Sequence, residues 1–164
     1  MPADVVTEFL RRGALARALA MAGTMERVLA IVVEHTSART QFGRAVGKFQ
    51  AVQAMVADIA AEGALARAAA NAAVSIAEEH GFGSSEAGFA VAAAKSCAGH
   101  AASVVVRNAH QCLGASGFTR EHELHRHTNS LLAWRSEYGS VRYWDEALVA
   151  AVAGERGLWP LIAG

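Results

Sequence analysis

The 164-residue chain carries no excess of either charge: 15 Lys and Arg stand against 15 Asp and Glu, and the isoelectric point is about 7.1. Without a net field, neither a phosphate backbone nor an anionic membrane surface is an expected partner. Cysteine is scarce too. The two present, Cys97 and Cys112, fall on what reads as one helix, where a rise of about 1.5 Å per residue sets them beyond disulfide reach. Both are read as buried thiols of a reducing compartment. Met1-Pro2-Ala3-Asp4 opens the chain without a basic segment, apolar core and cleavage site, so a cytoplasmic location is expected. Alternating strand patterns, repeats and long linkers are missing as well.

What is there is apolar and helical. Hydrophobic residues make up 53% and charged residues 18%, which suits one domain over residues 1–164 with a sizeable core. The run from Ala87 to Val106 is long enough to span a membrane, but it is built of Ala and Ser and broken by Lys95 and His100. It is read as a buried helix.

Leu15, Leu19, Ala22, Glu26, Leu29, Val33 and Thr36 recur every three to four residues and predict a first helix over Val5–Thr40. Phe49, Val52, Val56, Ile59 and Gly63 begin a second, reaching Glu79. His80 to Glu86 supplies a C-terminal glycine, a serine cap and an acidic first turn. Phe89, Ala93, Cys97, His100 and Val104 mark a third helix ending at Leu113, its small residues permitting close contact. A break at Gly114–Arg120, a fourth helix over Glu121–Arg135 and a last one over Val141–Ala153 complete the pattern. The expected fold is all-α: an antiparallel four-helix-bundle-like domain with additional short C-terminal helices.

Two breaks carry chemistry. Arg39-Thr40-Gln41-Phe42-Gly43 offers a permanently charged planar fork suited to a diphosphate, and Gly43 and Gly47 relax the backbone for close approach. Gln41, Gln50, Gln53 and Gln111 add amides that both donate and accept, as an adenine edge or ribose requires. A nucleotide cofactor is one reading. Helix-ending glycines, solvated glutamines and an ion-paired arginine are the other, and spacing alone does not decide between them.

Arg-x-Gln-Phe-Gly-x-x-x-x-x-Phe-Gln-x-x-Gln at Arg39–Gln53, followed by Ala57-Asp58, and Gln111-x-x-Gly-x-x-Gly-Phe-Thr at Gln111–Thr119 resemble the C-terminal helical domain of acyl-CoA dehydrogenases. Glu121-His122-x-Leu124-His125-Arg126 resembles the family's next stretch. The resemblance implies a four-helix bundle that forms subunit contacts and holds the FAD of a neighbouring subunit. It assigns Arg39 and Gln41 to the diphosphate with Phe42 beside them, Phe49 and Gln50 along the cofactor, and Gln111, Gly114 and Ala115 to the adenosine end. Ala115 stands where the family usually has the second glycine of a pair.

The family removes the proton α to a thioester with a carboxylate while hydride leaves the β carbon for the flavin. Its Glu usually precedes the glycine matching Gly139, where this chain has Tyr138. In one branch the Glu lies on the first long helix, where this chain has Gly13, and the arginine that usually follows is Ala14. Glu137, one residue from the first position, is the candidate substitute, though a one-residue slip at a helix end turns a side chain by about 100°. The family's N-terminal helical and middle β-domains have no counterpart in these residues.

The resemblance thus implies acyl-CoA dehydrogenation, of fatty acyl or steroid side-chain thioesters, by a homo-oligomer or a heteromeric dehydrogenase in which this chain is a subunit. The alternatives are a base-lacking partner subunit, with Trp134, Tyr138-Gly139-Ser140 and Trp144 similar to the steroid branch, or a non-enzymatic assembly module. His122, His125 and His127 with Glu121 and Glu123 form a cluster, but His-x-x-His without Cys or a distant fourth ligand is common on solvated faces, so no metal is expected. Met21, Met25 and Met55 read as core filling, and Trp134, Trp144 and Trp159 as either core or a partner surface.

Overall fold

A computed structural model describes residues 2–119 and 122–154. Its order is α1 (Ala3–Ala38), β1 (Thr40–Gln41), β2 (Arg44–Ala45), a 3₁₀ turn at Val46–Lys48, α2 (Gln50–His80), α3 (Ser85–Leu113), a second 3₁₀ turn at Gly114–Phe118, α4 (Leu124–Trp134) and α5 (Val141–Gly154). The three long helices run antiparallel, since short connections join them and Asn108 near the end of α3 donates to Asp58 near the start of α2 at 3.2 Å. The hairpin, the start of α2 and the end of α3 therefore share one end of the bundle. All-α architecture is as expected.

Small residues let these helices approach closely. Gly63, Ala66, Ala70, Ala73 and Ala77 on α2 and Ala87, Ala90, Ala94, Ala98, Ala101 and Ala102 on α3 are buried. Such side chains bury little area each, so the larger groups that fill the middle matter: Met21, Met25, Ile59, Leu124 and Leu131 are fully buried. Each stabilises the fold by roughly 1.5–3 kcal/mol relative to exposure. The long apolar α3 owes its composition to this position, being mostly buried inside the bundle.

The helix ends follow local chemistry. Gly81 takes φ 78° and closes α2, and Ser84 caps α3 by accepting from the Ala87 N–H at 3.1 Å. Arg11 of α1 clamps this turn, donating to the carbonyls of Phe82 at 2.7 Å and Ser84 at 2.8 Å, over a face that Gly88 keeps open.

Four expectations need correction. Two short strands do occur: β1 and β2 pair antiparallel, Thr40 with Ala45 and Gln41 with Arg44. Two-residue strands contain too little sequence to show alternation. Helix α4 begins at Leu124 and ends at Trp134, because His122 and Glu123 form a turn in front of it; Arg120 and Glu121 lie outside the described residues. On α1 the core face is Ala14, Leu15, Ala18, Met21, Ala22, Met25, Val28, Ile31, Val32 and Thr36, so Glu26 and Val33 of the predicted stripe are exposed. Glu26 instead accepts from Arg67 of α2 at 2.8 Å. On α3 the predicted stripe, Phe89 to Val104, is the less buried side; Cys97 is half-buried while Cys112 is buried. An alanine-rich helix has apolar residues on every face, and periodicity cannot then select the inner one.

Candidate functional site

Arg39 terminates α1, its N–H donating to the His35 carbonyl at 2.9 Å, and the chain reverses through Phe42 and Gly43 at φ 52° and 77°. Two successive positive φ values give the turn a primed hairpin geometry, which suits strand twist but disfavours a bulky residue. Phe42 is nevertheless there, 92% exposed at the tip. Its ring meets the edge of Phe49 at 6.3 Å, and the Arg44 guanidinium covers the Phe49 face at 4.0 Å. Arg44 was not among the residues singled out from sequence; its alternation with Phe42 across a tight turn is the signal that places it there.

Gln41 and Gln50 are exposed beside this cluster. Among the described residues no carboxylate lies within ion-pair distance of Arg39. Beneath the hairpin, Thr36, Ala45, Gly47, Gln53 and Val56 line a cleft of ≈ 520 Å³. At the same end of the bundle, Gly114 stops α3 with φ 59°, Gln111 and Ala115 are exposed, and a side chain at Gly114 would meet nothing within 4 Å. Phe118, 72% exposed, stacks on His110 at 4.4 Å, and His110 Nε2 lies 3.0 Å from Thr128 Oγ1. Sequence reasoning passed over His110, whose partner lies on another helix.

His35, in the last turn of α1, lies edge-on to His122 at 6.1 Å, with its Nε2 buried and unpartnered among the described residues. Burial first, then the positive charge of Arg39 and the neighbouring His122, pushes its proton affinity below that of a free imidazole. The imidazole is therefore neutral near pH 7, and Arg39, Arg44 and Lys48 supply the charge at this end.

The second predicted region is the turn between α4 and α5. Glu137 accepts from Arg17 of α1 at 2.5 Å, and the Arg17 guanidinium stands 5.2 Å from the Trp134 ring. Tyr138 has φ 54° and lays its ring directly on Gly13, so closely that a Cβ there would clash with it, with Phe9 edge-on at 5.9 Å. Tyr138 and Gly13 are thus in contact with each other. Glu137 and Tyr138 both face α1 but different residues of it.

The histidine cluster is committed internally. His122 Nδ1 accepts from the Leu124 N–H at 3.1 Å, His125 Nδ1 lies 2.7 Å from the His122 carbonyl, and Glu123 accepts from Arg27 at 2.6 Å. Among the described residues no three His, Cys, Asp or Glu side chains converge as a metal site would need. Burial pushes the thiols of Cys97 and Cys112 up, which leaves them protonated and weakly nucleophilic.

Comparison with known proteins identifies the family and the fold. The family model described as acyl-CoA dehydrogenase, C-terminal domain, matches residues 3–141. Probable acyl-CoA dehydrogenase FadE25 of Mycobacterium tuberculosis is 35% identical over 104 residues, covering 63% of this chain and 26% of that protein. The structure of a glutaryl-coenzyme A dehydrogenase glutaryl-CoA complex superposes with a TM-score of 0.86 at 28% identity, covering 93% of this chain and 38% of that one. The ChsE4-ChsE5 complex of Mycobacterium tuberculosis shares the fold, with a TM-score of 0.88 at 24% identity over 94% of this chain and 41% of that one. The chain thus spans about a quarter of the curated relative's length and about two fifths of the solved ones. It belongs to the acyl-CoA dehydrogenase family, as the C-terminal helical domain of that architecture.

Proposed function

We propose that the hairpin end of the bundle holds FAD at a subunit interface and that the chain takes part in this way in α,β-dehydrogenation of an acyl-CoA thioester. The observation that carries the reading is convergence. Residues 39–50 and 111–115 share one end of the bundle, where they leave two guanidiniums, three exposed amides and an aromatic ring on a left-handed turn. An exposed Phe at positive φ costs the fold about 1–2 kcal/mol, and such strain concentrates where a ligand or partner is met.

This donor set fits the cofactor. Arg39 and Gln41 would hold the diphosphate with Phe42 beside them, Phe49 and Gln50 would lie along it, and Gln111, Gly114 and Ala115 would line the adenosine end. When bound, the flavin supplies the acceptor for the hydride that leaves the substrate. Glu137 is the carboxylate of this chain nearest the family's base position, and its ion pair with Arg17 has to open before it takes a proton.

Saturable quenching of flavin fluorescence on titration with the purified chain, in a sample whose mass shows an oligomer, is the expected result. A second reading rests on Tyr138 covering Gly13: the chain is a base-lacking partner subunit or an assembly module. A stable oligomer that ignores both FAD and acyl-CoA would favour that second reading.

A further inference from the structure

Lys95 sits in the middle of α3 with no exposed surface, and no carboxylate contacts it among the described residues. Its Nζ instead donates to three backbone carbonyls, those of Trp134 at 3.0 Å, Arg135 at 3.0 Å and Gly139 at 3.4 Å. The first two belong to the end of α4, where carbonyls lack intrahelical partners and the helix dipole is negative. The third lies beyond the reversal made by Tyr138 and Gly139, at φ 54° and 104°. One ammonium therefore ties both arms of the turn together. A second buried side chain completes the arrangement: the Trp144 Nε1–H of α5 donates to the Tyr138 carbonyl at 3.1 Å.

We infer that Lys95 is a positioning residue: its ammonium sets the Arg135–Ser140 turn in the arrangement that aims Glu137 at Arg17 and lays Tyr138 on Gly13. A buried lysine is an expensive way to join carbonyls, since an apolar side chain of similar length would avoid desolvating a charge. What the charge adds is geometry, because three N–H donors on one atom fix three carbonyls at once. The inference deepens the proposed function only in its last step, that this turn faces the reacting part of the substrate. The positioning itself stands without FAD.

The charged groups that act on Lys95 are Arg17 of α1 and Arg135 and Glu137 of the turn; on α5, Asp145 is engaged by Ser96 and His100, and on α2, Glu62 faces Cys97. Burial, opposed by Glu137 and assisted by the two arginines, pushes the ammonium down to about 8. Above that pH the amine keeps two hydrogens for three carbonyls, and the turn loses a tie.

The test is ¹⁹F NMR of the full chain labelled with 5-fluorotryptophan, titrated from pH 6.5 to 9.5, in the wild type and in Lys95→Met. The Trp134 and Trp144 signals of the wild type should shift together through one transition near pH 8, and in Lys95→Met they should start displaced and stay flat. Signals that do not titrate in the wild type, or that titrate equally in Lys95→Met, overturn the inference. If the variant does not fold, the wild-type titration alone decides. FAD affinity measured on the same samples separates the two readings: a chain that ignores FAD but shows the transition loses the cofactor proposal and keeps the role of Lys95.

Discussion

The hairpin end and the α4–α5 turn both hold a non-glycine residue at positive φ next to a glycine that shares it, yet they spend that strain differently. Around Phe42 and Gly43 little is buried: the ring is 92% exposed and a Cβ at Gly43 would meet nothing within 4 Å. At Tyr138 and Gly139 both carbonyls and the ring are engaged, the carbonyls by Trp144 and Lys95 and the ring by Gly13 and Phe9. A strained turn with free groups is suited to meeting something outside the chain. A strained turn whose carbonyls and ring are held from other helices is suited to holding a shape.

The largest effect is expected at Trp144. Trp144→Ala removes a buried indole and frees the Tyr138 carbonyl, and should cost about 3–5 kcal/mol in denaturant unfolding; a loss under 1 kcal/mol would mean the turn is not held from α5. Gly13→Ala comes next, at about 1–3 kcal/mol, because the Tyr138 ring must leave its place. Combined with Tyr138→Ala it should cost less than the sum of the two, since both changes act on one contact.

Titration separates the regions by the pH window in which each acts. His35 and His110 are held below the ordinary imidazole value chiefly by burial, so the unfolded chain takes protons first and stability falls as pH drops below about 6.5 towards the folded values. Lys95 works in the same sense at higher pH: between about 8 and the free lysine value of 10.5 the unfolded chain holds the extra proton, so Lys95 makes stability rise with pH there. Thermal midpoints of wild type minus Lys95→Met across that window should rise with pH, even though the turn itself loosens locally. A difference that stays level would show that Lys95 titrates alike in both states.

The smallest effect on stability is expected at the hairpin tip. Phe42→Asn places a residue that tolerates left-handed backbone where Phe is strained, so stability should change by less than about 1 kcal/mol while FAD binding weakens. Equal affinity would remove Phe42 from the site.

The hairpin end was readable from sequence because glycines, an uncommitted arginine and glutamines stand at a break between two periodic segments, and Gly81 and Ser84 announced their turn in the same local way. The α4–α5 turn was readable only as a break. That Tyr138 rests on Gly13, or that Lys95 ties Trp134 to Gly139, depends on helices distant in the chain, and neither residue type signals its partner. The inner face of α3 was lost for a different reason, since alanine on all sides leaves no contrast to read. Trp159 lies outside the described residues.

The proposed function places FAD on Arg39 and its neighbours. Fluorescence titration of FAD with the wild type and with Arg39→Ala should give saturable binding by the wild type and at least a tenfold weaker affinity for the variant, about 1.4 kcal/mol. The same affinity in both proteins would contradict it.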